Sequence, residues 1–151
     1  MDLHEVLLLV HILAAMIWLG GGFIAGTLAG RMKIADPQHR LGYARAMQKI
    51  SVRVFMPAAI VLLGVGVWMV ADSDVYGFDQ AWISAAMAIV IVAGAMGPAF
   101  FNPTIDKGIA AMEAGDGPKA GALMARLGMG SKIALVLEFV AVWLMVFKPG
   151  A

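Results

Sequence analysis

The chain has no cysteine among its 151 residues and very few charged groups. The absence of cysteine excludes disulfide bonds, thiolate metal sites and redox-active thiols. Only 14% of the residues are charged, whereas 62% are hydrophobic and the mean hydropathy is +0.87. A soluble domain of this size would have too little polar surface to stay in solution. The composition therefore predicts a membrane protein.

Motifs of soluble enzymes are also missing. The sequence contains no glycine-rich phosphate loop, and no serine lies near a histidine in a plausible hydrolase context. The apolar segments and the few polar residues within them therefore carry most of the functional information.

Four apolar stretches are candidates for membrane spans. A hydrocarbon layer of ~30 Å needs about 20 apolar residues at ~1.5 Å each, and the fourth stretch reaches this only if its helix extends beyond the apolar run. The first stretch is not interpreted as a cleaved signal peptide, because Asp2–Glu5 is acidic and no Ala-x-Ala site follows. The four stretches are Val6–Ala29, Val54–Ala71, Ala81–Phe101 and Ile133–Phe147.

Lysine and arginine lie almost entirely on one side of these spans. The positive-inside rule then places both termini outside, and the chain is expected to be a multi-pass protein of a bacterial cytoplasmic (inner) membrane. The basic residues are interpreted as topology determinants and partners of anionic lipids on the cytoplasmic side, not as a nucleic-acid surface. Ten of them, Arg31, Lys33, Arg40, Arg45, Lys49, Arg53, Lys107, Lys119, Arg126 and Lys132, lie on that side, and Lys148 alone lies on the other.

Short connections predict the architecture. Asp36-Pro37 and Gly117-Pro118 each place a proline where a helix can begin, because the missing N–H is no loss in the first turn. The segments that follow these prolines are compatible with helix, so the membrane helices are expected to continue beyond the bilayer. The predicted fold class is all-α: residues 1–151 form one up-down four-helix transmembrane bundle. Pro98 is expected to kink the third helix.

Gly22, Gly26 and Gly30 recur every four residues in the first span. They extend a stripe that begins at Ala14 and Trp18, along which a neighbouring backbone can approach closely. The stripe is interpreted as a packing surface. Packing within the chain is favoured over a homodimer interface, and both remain open.

His11 and Glu138 are the ionisable residues inside the spans, and such residues are functional candidates because burying them is costly. His11 is either an axial ligand to haem, or a ligand to another metal, or a histidine that hydrogen-bonds between helices. Glu138 is either a protonated carboxyl with one hydrogen bond across the bundle or part of a proton relay. They enter from opposite sides and need not touch.

His11 has few possible partners as a metal ligand. His4 and His11 are seven residues apart, or ~10 Å along a helix, too far to chelate one metal ion. A bis-histidine haem within one protomer is excluded unless His4 reaches inward. Otherwise a second protomer or one of the methionines would have to supply the second ligand.

Arg45, Lys49 and Arg53 form a basic stripe with a spacing of four residues at the entrance to the second span. Phosphate groups of lipids are the favoured partners of this stripe. The propionates of a bound porphyrin are the alternative.

The run from His11 to Gly22, HILAAMIWLGGG, resembles the first membrane helix of three groups of small bacterial proteins. These are the HemJ-type protoporphyrinogen oxidases, the copper-resistance D-type domains and an uncharacterised family of four-helix membrane proteins. The resemblance implies haem binding at His11. HemJ-type enzymes carry a lysine and a histidine where this chain has Ala85-Ala86 and Met96-Gly97, so the uncharacterised proteins are the closer match.

The leading functional hypothesis is a membrane redox protein that binds haem b or another porphyrin, with His11 as axial ligand and Trp18, Arg45, Lys49 and Arg53 as further cofactor contacts. The alternative is a non-catalytic bundle that acts as a homodimer or as a subunit of a larger membrane complex. A metal or proton transporter ranks third. Whether the protein is an enzyme stays open.

Overall fold

The computed structural model describes residues 2–32 and 34–150, and within these ranges the chain forms helices and no strands. Lys33 and the two terminal residues of the predicted domain lie outside the described residues. Each of the four helices is long and apolar enough to cross a membrane, which confirms the predicted four-helix membrane bundle. The helices are α1 (Leu3–Met32), α2 (Pro37–Ala71), α3 (Ala81–Glu113) and α4 (Gly117–Phe147).

Aspartate caps explain where three of the helices begin. The Asp2 carboxylate accepts from the Glu5 N–H at 2.8 Å, and the Asp36 carboxylate accepts from the His39 N–H at 3.0 Å. Asp116 accepts from the N–H of Lys119 at 3.1 Å. Each cap satisfies a donor that has no partner inside its helix. The predicted starts of α2 and α4 beside Pro37 and Pro118 are confirmed.

Consecutive helices are neighbours, and α4 packs back against α1. The antiparallel order places both termini and the loop of residues 72–80 at one end, here called the terminal end. The two other connections, residues 34–36 and 114–116, lie at the opposite end, here called the basic end because the lysines and arginines between the spans cluster there.

Two apolar layers hold the bundle together. The middle layer takes one small or branched side chain from each helix: Ala14, Leu62, Val90 and Ala141. The terminal layer consists of Trp82, Ile83, Ala86 and Leu144. Most other large apolar side chains point outward, as expected where lipid replaces water around the bundle.

Trp82 differs from the two other tryptophans near the terminal end. Trp68 and Trp143 are about half exposed. Trp82 is buried instead, because the edge of Tyr76 packs on its ring and the Lys148 ammonium lies 5.7 Å from the ring centre.

Two wide π-helical turns interrupt α2 and α3, at Ser51–Phe55 and Gly97–Phe101. Each ends two residues before a proline, followed by Met56-Pro57 and Asn102-Pro103 respectively. Proline lacks an N–H and its ring collides with the preceding turn, and a wider turn relieves that collision. A kink was expected at Pro98 alone, so the π turn in α2 is a second irregularity, which was not predicted from the sequence.

Candidate functional site

His11 of α1 lies against Gly66 of α2. A Cβ atom built at Gly66 would lie 3.1 Å from Cε1 and 3.5 Å from Nδ1 of the imidazole. The first distance is shorter than ordinary carbon contacts, so glycine is what allows the ring to lie so close to α2. The Nδ1–Cε1 edge of His11 therefore faces the neighbouring helix.

The two nitrogens of His11 lie in different surroundings. Nδ1 is fully enclosed and lacks a hydrogen bond of normal geometry, although the backbone of Leu62 lies beside the ring. Nε2 is not enclosed in this way. Metal-binding histidines commonly turn one nitrogen toward a carbonyl and present the other to the metal. His11 is therefore oriented with Nε2 as the nitrogen available to a ligand.

Glu138 of α4 lies against Gly22 of α1. Its Oε2 and Oε1 atoms would be 3.6 and 4.0 Å from a Cβ built at Gly22. The residue is only 8% exposed. Its carboxyl group forms no hydrogen bond or ion pair with any residue in the part of the chain that the structure describes. The expected hydrogen bond across the bundle is therefore missing among these residues.

His11 and Glu138 belong to two separate sites. Gly22, the neighbour of Glu138, lies eleven residues beyond His11 on α1, or ~16 Å along the helix. The histidine packs on α2, whereas the carboxyl packs on α1. The expectation that the two need not touch agrees with this placement.

The glycine stripe of α1 changes its surroundings from one end to the other. Gly22 faces the Glu138 carboxyl, but nothing lies within 4 Å of a Cβ built at Gly26 or Gly30, and both glycines are exposed. Of these three glycines, Gly22 packs within the described chain, and the interpretation of the stripe as an internal packing surface or a homodimer interface stays open. Near the basic end α4 packs on α3, with Gly130 under the Phe100 ring.

A polar contact joins α2 and α3 where their π turns meet. Ser51 Oγ donates to Asn102 Oδ1 at 2.7 Å, and Asn102 Nδ2 lies 3.8 Å from the Met56 sulfur. Ser51 is buried. This pair was not predicted from the sequence, because neither side chain is ionisable. The available signal was a polar residue directly before a helix proline, as in Asn102-Pro103.

The basic stripe of α2 lies far from His11. Arg45 is paired with Glu113 of α3 at 2.6 Å, and Lys49 and Arg53 are exposed. Arg53, the nearest of the three, is thirteen residues from Gly66, or ~20 Å along the helix. A porphyrin bound at His11 would not reach Arg45 or Lys49.

The Trp18 side chain is likewise not free to contact a cofactor, because it packs against the middle apolar layer. The five residues expected to contact a cofactor therefore do not converge. The described residues contain no group of three or more histidines, aspartates or glutamates that could hold a metal ion. A haem differs from such an ion, because its porphyrin supplies four ligands and the protein supplies only the axial ones.

Comparison with known proteins identifies a family and no activity. The family model described as "Predicted integral membrane protein (DUF2269)" matches residues 5–149. No curated protein and no solved structure matches the chain. These comparisons give no support to the resemblance to HemJ-type oxidases or copper-resistance D-type domains. The match covers nearly the whole chain, and the protein belongs to the DUF2269 family of integral membrane proteins.

Proposed function

We propose that the protein is a membrane redox protein that binds haem b, with His11 Nε2 as an axial ligand. The orientation of the imidazole supports this proposal. Gly66 allows the Nδ1–Cε1 edge to pack on α2, and Leu62 lies beside that edge. The opposite edge, with Nε2, is left to a ligand.

The residues present fit one axial ligand. His11 is the one histidine within the four apolar stretches of the sequence, and its ring packs on Gly66. A bound haem supplies one-electron transfer at this position. A methionine or a residue of a second protomer would supply the other ligand.

The basic residues take a different partner in this proposal. Lys49 and Arg53 are exposed near the basic end and would bind the phosphate groups of anionic lipids, not the cofactor. Their side of the bundle would then face the cytoplasm of a bacterial cell, with both termini outside.

Absorption spectra of the protein purified in mild detergent test the haem proposal. The air-oxidised and dithionite-reduced spectra of the wild type should show a Soret band and sharpened α and β bands, and His11→Ala should lose them. His4→Ala is the matched control, because His4 lies on the same helix and is exposed. A flat visible spectrum of the wild type, after growth with ample haem, would contradict the proposal.

One observation favours the second candidate, a homodimer without a cofactor. Gly26 and Gly30 are exposed on one helix and have the spacing at which two membrane helices pack closely. If this surface joins two copies, Gly26→Leu should shift the protein from dimer to monomer in analytical ultracentrifugation. A wild-type protein that is itself a monomer would exclude this candidate.

A further inference from the structure

No titratable side chain among the described residues forms a hydrogen bond or ion pair with Glu138. Tyr43 of α2 reaches α1 between Gly22 and Gly26, where its hydroxyl donates to the backbone oxygen of Ala25 at 2.6 Å. The helix segments around it contain no acid, base, histidine or tyrosine. These segments are residues 12–30 of α1, 54–71 of α2, 81–105 of α3 and the remainder of 133–147 in α4. The nearest charges on the other helices, such as Arg53, lie at the ends of these segments and are exposed. Among the described residues, no cation therefore pairs with Glu138 to balance a charged carboxylate.

On the side toward the terminal end, apolar layers close off Glu138. Ala141 lies one turn further along α4 and belongs to the middle layer, and Leu144 belongs to the terminal layer. Trp82 is the one residue of the two layers with a polar side-chain atom. Ala86 in the terminal layer is fully buried, with 0% exposure. Apart from His11, which packs on Gly66 in this half, the two layers offer water only the indole nitrogen of Trp82 as a polar side-chain group.

Toward the basic end the surroundings are open. Gly22, Gly26 and Gly30 leave one face of α1 without side chains, and open space lies over the last two. Glu138 is more than nine-tenths buried and has no hydrogen-bond partner among the described residues. Its carboxyl oxygens nevertheless keep some accessible surface, because they are not among the fully enclosed polar atoms of these residues. The carboxyl group therefore lies at one end of the glycine stripe, and the open part of the stripe leads from there to the basic end.

We infer that Glu138 is a proton-binding site that exchanges protons with water from the basic end only, along the face formed by Gly22, Gly26 and Gly30. The carboxylate takes a proton from hydronium and releases water, and the reverse step returns the proton. An unpaired carboxylate is costly at this depth, which favours the protonated form. A proton is the ligand that fits, because the described residues hold no set of metal ligands around the carboxyl. The inference does not depend on haem binding.

Cysteine accessibility tests the direction of access, and the natural chain has no cysteine to remove. Gly22→Cys, Gly26→Cys and Gly30→Cys are treated in membrane vesicles with a charged, impermeant thiol reagent from either side. The control is Ile24→Cys, because Ile24 is 60% exposed on a different face at the same depth. The three stripe variants should react about tenfold faster than the control, from the basic side alone, because the thiolate forms in water and not in lipid.

Three results would overturn the inference. Reaction rates equal to that of Ile24→Cys would show that the stripe faces lipid. Reaction from both sides would show that the apolar layers do not seal the bundle. Disulfide-linked dimers of Gly26→Cys would assign the stripe to a second copy of the chain.

Infrared spectroscopy tests the proton itself. The wild type at neutral pH should show the C=O band of a protonated carboxyl that is missing in Glu138→Gln and that shifts within minutes in D₂O. The glutamine variant is close in shape, and circular dichroism checks that it keeps its helix content. Absence of the band from the wild-type spectrum, or a band that does not shift in D₂O, would contradict the inference.

Discussion

At the scale of residues, two glycines decide what the two membrane-buried ionisable groups contact. Gly66 admits the His11 ring, and Gly22 admits the Glu138 carboxyl. The two glycine positions tolerate an added methyl group differently. A Cβ at Gly66 would lie 3.1 Å from the His11 ring, whereas a Cβ at Gly22 would lie 3.6 Å from the Glu138 oxygen. A methyl group at Gly66 must displace its neighbour, whereas one at Gly22 makes an ordinary contact.

Replacing Gly66 with alanine should destabilise the protein relative to replacing Gly64. Both changes add the same helix propensity, and nothing lies within 4 Å of a Cβ at Gly64. The difference therefore reports the clash with His11, which we expect to cost about 1–3 kcal/mol, the usual range for overpacking. Unfolding in mixed micelles measures it. Equal stability of Gly64→Ala and Gly66→Ala would show that His11 moves aside freely.

The contacts and burial of individual residues were only partly predictable. Gly22, Gly26 and Gly30 have identical spacing, yet Gly22 alone packs within the chain. The difference depends on which helix packs on each glycine, and no local pattern in α1 reports that. Trp82 shows the same limit, since its ring packs against Tyr76 of the preceding loop and lies near Lys148 at the far end of the chain.

At the scale of elements, prolines and aspartates control where helices start and where they widen. The starts of α2 and α4 were predictable, because an aspartate before the helix and a proline in its first turn are local signals. The π turns at Ser51–Phe55 and Gly97–Phe101 were not, because a helix before a proline can kink, break or widen. Tertiary packing of α2 on α3 selects among these outcomes.

Ser51→Ala should weaken the contact between the two π turns. The hydroxyl donates to Asn102 inside the bundle, and hydrogen bonds between membrane helices contribute about 0.6 kcal/mol on average and up to ~1.7. A double-mutant cycle with Asn102→Ala measures this coupling. Thr27→Ala is the control, because its hydroxyl bonds only to Phe23 of its own helix. A coupling energy of zero would show that the Ser51–Asn102 contact contributes nothing.

The cap of α2 should make stability depend on pH. The His39 N–H, and then the His39 side chain, lower the pKa of the Asp36 carboxyl, which lies outside the membrane. A carboxyl with a lowered pKa stabilises the folded state above its unfolded value, about 3.9, and this contribution is lost as the pH falls through the folded value. Unfolding measured between neutral and acidic pH should show a steeper loss for the wild type than for Asp36→Asn. Identical slopes would contradict the role of the ionised cap.

At the scale of the whole molecule, the two ends differ in charge and in packing. The terminal end carries acidic residues and the closed apolar layers, whereas the basic end carries the lysines and arginines and the open glycine stripe. The four-helix membrane architecture followed from composition and span length, since these are properties of the whole chain. The separation of His11 from the basic stripe became evident only in the assembled bundle.

Haem content per polypeptide is the measurement that tests the central claim most directly. The protein is expressed with ample haem, purified in mild detergent, and its b-type haem is quantified as the pyridine complex beside His11→Ala. The account predicts one haem per chain, or one per two chains if a second protomer supplies the other ligand, and near-complete loss in the variant. Wild-type protein without haem, or equal haem content in His11→Ala, would contradict it.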